Sequence, residues 1–118
     1  MEHWDLLSID APAGTRDPAV LASDDVSRAV LIRIDAGQAL GDHQVKEYTW
    51  VVVVEGRVRV QGEDGKAVDA GPGSLFRFRP AERHAISSDA GARILLLLSP
   101  WPGDGHYHPG ELAARGAG

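Results

Sequence analysis

Apolar and polar residues alternate along two short segments of the chain, as they do in a strand that has one face in water. In RVRVQ, Val58 and Val60 occupy one face and arginines occupy the other. In LFRFR, Phe76 and Phe78 alternate with arginines in the same way. We therefore predict two half-buried strands whose arginines lie on solvated faces, with an anion site as their alternative role. These arginines are Arg57, Arg59, Arg77 and Arg79.

Two other segments, WVVVV and ILLLLS, are apolar at nearly every position. An antiparallel strand with one wet face would alternate, so these segments predict strands that are covered on both sides. Trp50 has the opposite parity from Thr49 and is predicted to face outward. We expect a second copy of the chain to cover that side, with Trp50 at the subunit interface.

Glycine and proline divide the sequence into short segments rich in Val, Leu and Ile, a pattern typical of an all-β sandwich or barrel. Turn-forming residues separate these segments in EGRV, GEDG and DAGPGS. The predicted strands are Trp4–Ile9, Arg28–Asp35, Asp42–Val45, Tyr48–Val54, Arg57–Gln61, Ala67–Asp69, Ser74–Phe78, His84–Ser88 and Arg93–Ser99.

Length and composition favour a single globular domain over residues 1–118, because 118 residues are too few for two good cores. Apolar residues at 43% and charged residues at 25% exclude a disordered chain. The net charge of -5 comes with no basic cluster, which argues against nucleic acid and anionic membranes as partners.

The chain contains no cysteine, which excludes disulfides, thiolate nucleophiles and cysteine-ligated zinc. The amino terminus carries acids where a secretion signal carries bases, and the longest apolar runs are far shorter than a membrane span. We therefore expect a cytoplasmic protein whose chemistry depends on histidines, carboxylates, tyrosines and hydroxyls.

Two histidines lie in segments where glycine, proline and histidine recur at characteristic spacings. The first segment, GQALGDHQVKEYTWVVVVEG, contains Gly37, His43 and Gly56. The second segment, GPGSLFRFRPAERHAIS, contains Pro80 and His84. Together the two segments resemble the two sequence motifs of the cupin family.

The resemblance covers roughly Ala29 to Pro100 and has two departures. Cupins carry a second histidine and a glutamate in their first motif, and here Val45 and Thr49 stand in those places. The second segment is shorter by one residue than the cupin spacing and lacks its inner glycine.

The resemblance implies a cupin-type double-stranded β-helix, a jelly-roll barrel of two antiparallel sheets like that of the small RmlC-like cupins. The barrel would span about residues 29–100, and residues 101–118 would form a C-terminal tail. The strand of His43 would pair with the strand of His84, so that both imidazoles face one cavity. The VVVV and LLLL strands would be neighbours in the opposite sheet, which favours a back-to-back homodimer.

In metal-dependent cupins, three histidines and one glutamate hold iron, manganese, nickel or zinc. Here the resemblance implies His43 and His84 as ligands, and two imidazoles alone seldom retain a divalent ion. Glu47 is the candidate third ligand. Residues four apart on a strand are about 13 Å apart, so the chain must bend between His43 and Glu47 for the set to close. His106 and His108 are further candidates, expected in the tail.

The leading functional hypothesis is a barrel that binds a small organic molecule, with catalysis left open. The predicted ligand-binding residues are His43, Val45, Thr49, Phe76, Phe78 and His84, of which the two histidines are polar anchors and the phenylalanines serve equally as core filling. The alternative is a divalent-metal-dependent oxygenase, isomerase or lyase that uses His43, Glu47 and His84, or a metal-free acid–base catalyst that uses an imidazole. A third reading is a ligand-sensing module that acts through a separate partner chain.

Overall fold

A computed structural model of the chain describes residues 1–12, 18–43 and 45–102, and for residues 41–43 it describes the backbone alone. The described part contains two antiparallel β-sheets and no helix, which confirms the predicted all-β class. No helix in these residues is therefore available to cross a membrane. The strands are β1 Ala19–Ser23, β2 Arg28–Ile34, β3 Gln38–His43, β4 Tyr48–Gly56, β5 Val58–Gly62, β6 Ala67–Ala70, β7 Leu75–Phe78, β8 His84–Ser88 and β9 Ala92–Ser99.

The five-stranded sheet has the order β1-β2-β9-β4-β7, and the four-stranded sheet has the order β3-β8-β5-β6. The VVVV strand β4 lies directly beside the LLLL strand β9, as predicted, with Val51 opposite Leu96. Strand β3 pairs with β8, also as predicted, and His43 is the backbone partner of His84. The two sequence motifs therefore meet in the four-stranded sheet.

The inward faces of both sheets form one continuous apolar core, because alternate residues of each strand point to the same side. Each fully buried Val, Ile or Leu in such a core contributes about 1.5–3 kcal/mol. Phe76 packs against this core from its edge. The core residues are Val30, Ile32, Ile34, Leu40, Val51, Val53, Val58, Val60, Ala70, Phe78, Ile86, Ala92, Ile94 and Leu96.

The outer face of the five-stranded sheet is partly covered by the amino-terminal segment. The Arg93 guanidinium on β9 donates hydrogen bonds to the carbonyls of Ile9 at 2.6 Å and Leu6 at 3.2 Å. Leu31, on the outward side of β2, is fully buried. Elsewhere on this face Leu97 remains 37% exposed. The back-to-back homodimer, which would use this face, stays a prediction.

The predicted strand Trp4–Ile9 is wrong. The amides of Ser8 and Ile9 both donate to the Asp5 carbonyl, and the Asp5 carboxylate accepts from Leu7 and Ser8. An aspartate that bonds to its own following backbone favours a turn over a strand. The edge strand β1, directly after Pro18, is the strand that the sequence pattern did not predict.

Candidate functional site

Four strand ends meet at one end of the barrel. Strand β8 begins at His84 beside the end of β3 at His43, and across the core β7 ends at Phe78 opposite Thr49 near the start of β4. The connection from β3 to β4 also crosses from one sheet to the other here, with its bend at Lys46 and Glu47. The fold therefore brings both motif segments to this end, which we call the site end.

Three polar side chains at the site end are almost completely buried. Glu47 and Thr49 are 0% exposed, and His84 is 1% exposed. Burying polar groups is unfavourable unless they find partners, so such a concentration is more typical of a functional site than of a core built for stability.

The His84 ring is held on two sides. Its Nδ1 lies 3.1 Å from the Glu82 carbonyl oxygen, and its plane stacks on the Phe78 ring with centroids 3.9 Å apart. A carbonyl oxygen can only accept a hydrogen bond, so Nδ1 carries the proton. In the neutral ring Nε2 then holds the lone pair. A ring nitrogen in this form accepts a hydrogen bond or ligates a metal.

Thr49 occupies the position of the cupin glutamate and keeps a polar atom there. Its Oγ1 is fully buried and has no hydrogen-bond partner within the described part of the chain. A buried hydroxyl of this kind costs free energy unless a water or a ligand completes it. Among the described residues, the Thr49 hydroxyl is thus an unsatisfied hydrogen-bonding group at the site end.

A metal-ligand role for Glu47 requires the chain to bend after His43. The chain does bend between His43 and Glu47, and the glutamate side chain is buried at that bend. The ligand role predicted for Glu47 stays a prediction, because the His43 side chain lies outside the described part of the chain. His106 and His108 also lie outside it.

The four-ligand metal set of cupins does not fit this chain. Val45 has no donor atom, and Thr49 offers a neutral hydroxyl in place of a carboxylate. Among the described side chains no group of three His, Asp or Glu residues is placed to hold a metal ion. Any ion at the site end would therefore need the His43 imidazole beside Glu47 and His84.

The predicted lining residues divide between core and rim. Phe78 belongs to the core and Phe76 packs at its edge, while Val45 is half-buried in the β3–β4 connection. The Val45 carbonyl accepts a hydrogen bond of 2.7 Å from the Ala81 amide, which fastens the β7–β8 loop to that connection. The role of these residues in ligand binding stays a prediction.

The sequence pattern predicts little about the structure of the β7–β8 loop, residues 79–83, at the site end. The Glu82 carboxylate accepts from the Arg79 amide at 2.9 Å, and Glu63 accepts from the Arg83 amide at 3.0 Å. Ala81 has a φ of 65°, a value that favours glycine. The second cupin motif has an inner glycine that this chain lacks. That absence is the sequence signal for a strained position in this loop.

The chain matches the sequence model described as "Cupin domain" over residues 30–99. It is similar to the structure of an RmlC-like cupin from Shewanella frigidimarina at 25% identity and a TM-score of 0.68, covering 74% of this chain and 78% of that one. No curated protein sequence matches the chain.

Two further structures share the fold at lower identity. An RmlC-like cupin from Desulfovibrio desulfuricans has 20% identity and a TM-score of 0.71, with 85% of this chain and 97% of that chain covered. A conserved protein with a double-stranded β-helix domain from Klebsiella pneumoniae has 14% identity and a TM-score of 0.73, with 87% and 93% covered. These similarities confirm the predicted cupin-type double-stranded β-helix.

Proposed function

This chain belongs to the cupin family, and from that premise we propose that the site end of its barrel binds a small organic molecule, with His43 and His84 as polar anchors. The observation that carries the proposal is the orientation of the His84 ring. Its Nδ1 bonds to the Glu82 carbonyl and its face stacks on Phe78, so the ring is held in one orientation at the site end. A polar group oriented in advance by its neighbours is a common element of binding sites.

The buried hydroxyl of Thr49 supports the same location. It lies on β4 directly opposite Phe78 and lacks a partner in the described part of the chain, so a ligand with one polar atom near both strands would complete it. Because the rest of the interior is a continuous apolar core, the ligand is expected to enter only the end of the barrel.

Ligand-detected NMR against a panel of organic acids, sugars and nucleotides tests this function. His84→Ala removes the first imidazole anchor, and His43→Ala removes the second. Each variant is expected to weaken a hit about tenfold, the size of one lost hydrogen bond to a buried group. His3→Ala, at an exposed position, is the matched control. Unchanged affinity in the His43/His84 double variant would overturn the proposal.

A divalent-metal-dependent enzyme is the second candidate, and the burial of Glu47 at the bend favours it. His43, Glu47 and His84 would then hold the ion as two imidazoles and one carboxylate, a set that suits non-haem iron. When bound, the ion would supply Lewis-acid or redox chemistry. The Glu82 carbonyl would orient the His84 ring toward the ion through the Nδ1–H bond.

Metal analysis separates the two candidates. Protein purified without a histidine tag is offered iron, manganese, nickel and zinc in turn, desalted and analysed by mass spectrometry. An enzyme of this class is expected to retain close to one ion per chain, and Glu47→Gln is expected to reduce the retained fraction. Occupancy near zero with all four metals would rule out the metal candidate and leave the binding proposal intact.

A further inference from the structure

A surface groove of about 630 Å³ adjoins the site end, between the β5–β6 turn and the β7–β8 loop. It has room for a group the size of a phosphate or a short organic acid. The groove contains two arginines and two glutamates, so its preference depends on which of these charges are already engaged. Its lining residues are Glu63, Arg77, Arg79, Pro80, Ala81 and Glu82.

The two glutamates of the groove are engaged with the backbone. One oxygen of Glu82 accepts from the Arg79 amide at 2.9 Å, and one oxygen of Glu63 accepts from the Arg83 amide at 3.0 Å. These bonds fix the carboxylates as parts of the loop framework. Each carboxylate keeps its negative charge, so only the arginines of the groove can attract an anion.

The two arginines of the groove are exposed and form no ion pair with the described residues. Arg59, by contrast, lies 3.2 Å from the Asp69 carboxylate. Neither Arg77 nor Arg79 has such a carboxylate within the described part of the chain. Their guanidinium donors are therefore the hydrogen-bonding groups of the groove with capacity for an incoming molecule.

Arg77 is moreover held in place by aromatic rings. Its guanidinium carbon lies 4.3 Å from the centroid of Tyr48 and 5.1 Å from that of Trp50. A guanidinium that lies over aromatic rings is attracted by their negative faces, and the contact orders its side chain. Part of the entropy cost of ordering Arg77 for a ligand is thus already met.

We propose that Arg77 and Arg79 form a subsite for an oxyanion, a carboxylate or a phosphate, carried by a small organic ligand. Guanidinium groups bind both oxyanions through parallel N–H···O bonds. The subsite is continuous with the site end, because Arg79 directly follows Phe78 and the Glu82 carbonyl holds His84. The inference rests on the proposed function and makes its ligand class a small organic anion.

The subsite is tested by ¹H–¹⁵N NMR titration of the full chain with inorganic phosphate and, separately, acetate, at constant ionic strength. Saturable shifts are expected in the backbone amides of residues 77–83 and the Nε–H of both arginines. Arg77→Gln and Arg79→Gln are each expected to weaken binding about tenfold, as loss of a charged hydrogen bond does. Arg59→Gln removes the same charge from an ion-paired arginine and is expected to leave binding unchanged.

Tighter binding of phosphate than of acetate would assign a phosphate-bearing ligand, and the reverse order would assign a carboxylate; either supports the subsite. Shifts that do not saturate, or equal weakening by Arg59→Gln, would overturn it. Backbone amide spectra of the variants establish that each remains folded.

His84→Ala separates this inference from the proposed function. It is expected to weaken organic ligands that reach the site end, whereas the two arginine variants are expected to weaken free phosphate and acetate. An organic ligand that depends on His84 but binds Arg77→Gln and Arg79→Gln normally would sink the subsite and preserve the function. Oxyanion binding at the arginines, without any organic ligand that depends on His84, would preserve the subsite and overturn the proposed function.

Discussion

The imidazole of His84 lies face to face with the phenyl ring of Phe78, with centroids 3.9 Å apart and planes 10° from parallel. The two rings come from different sheets, since His84 begins β8 and Phe78 ends β7. Their contact therefore joins the two sheets at the site end. Phe78 is thus both a core residue and the support of the candidate binding residue His84.

Replacing Phe78 by leucine tests this double role. The substitution keeps an apolar side chain in the core but removes the stacked ring, and we expect a loss of about 1–2 kcal/mol in the free energy of unfolding by urea. The ring protons of His84 should also move downfield in the NMR spectrum, because they leave the shielding region of the phenyl ring.

Phe76→Leu is the matched control for that change. Phe76 is only half-buried, and the ring contact found for His84 is with Phe78. We expect a loss below about 1 kcal/mol and unchanged His84 ring shifts. Equal effects of the two leucine variants on the His84 shifts would contradict the assigned support role.

Much of the fold follows from local sequence pattern. Alternation in RVRVQ and LFRFR set the inward faces of β5 and β7 correctly, because the two-residue period of a strand leaves one choice of face once one side is apolar. The outward position of Trp50 followed from the same parity. The pairing of His43 with His84 came from the cupin resemblance, since register between distant strands has no local signal.

The remaining features depend on contacts that pattern does not contain. The turn at Asp5 arises from side-chain bonds to its own backbone, within a segment as apolar as a strand. The burial of Glu47 follows from the crossing between the sheets, where a charged residue is not expected. The distinction between Arg77 and Arg59, alike in sequence, rests on the aromatic rings beside one and the aspartate beside the other.

Gly56→Ala is expected to destabilise the barrel strongly. Gly56 has a φ of 78°, and a Cβ there would overlap the carbonyl oxygen of Gly91 and lie 2.9 Å from the Ala92 Cα. Both neighbours are backbone atoms of β9 or the residue before it, so β4 and β9 would have to separate. We expect a loss above about 3 kcal/mol in urea unfolding.

Gly37→Ala isolates the cost of the backbone conformation alone. Gly37 has nearly the same φ, 77°, but a Cβ there would meet no atom within 4 Å. Its loss should be about 1–2 kcal/mol. If both alanine variants lose equal stability, the contact with Gly91 does not contribute.

Asp24 gives the β1–β2 turn a dependence on acid pH. Its carboxylate accepts from the amides of Ser27 at 3.0 Å and Val26 at 2.8 Å, and these bonds lower the pKa of Asp24 below its ordinary value. A carboxyl whose pKa is lowered by folding stabilises the fold above its unfolded pKa of about 3.9, and this stabilisation is lost as pH falls through the folded pKa.

The stability difference between the parent chain and Asp24→Asn should therefore be largest near neutral pH and should shrink below about pH 4. Urea unfolding at a series of pH values measures it. Asp25→Asn is the control, because it removes the neighbouring charge and Asp25 makes no side-chain hydrogen bond within the described residues. A difference for Asp24→Asn that stays constant with pH would contradict the turn assignment.

Ala81→Gly is expected to stabilise the protein. Ala81 has a φ of 65°, which costs a residue with a Cβ about 1–2 kcal/mol, while glycine gains unfolded-state entropy worth about 0.5–1 kcal/mol. The net gain in the free energy of unfolding should be about 0.5–1 kcal/mol. Ala85→Gly, within β8, should instead lose about 0.5–1 kcal/mol. Equal losses for both glycine variants would show that the loop at residue 81 carries no strain.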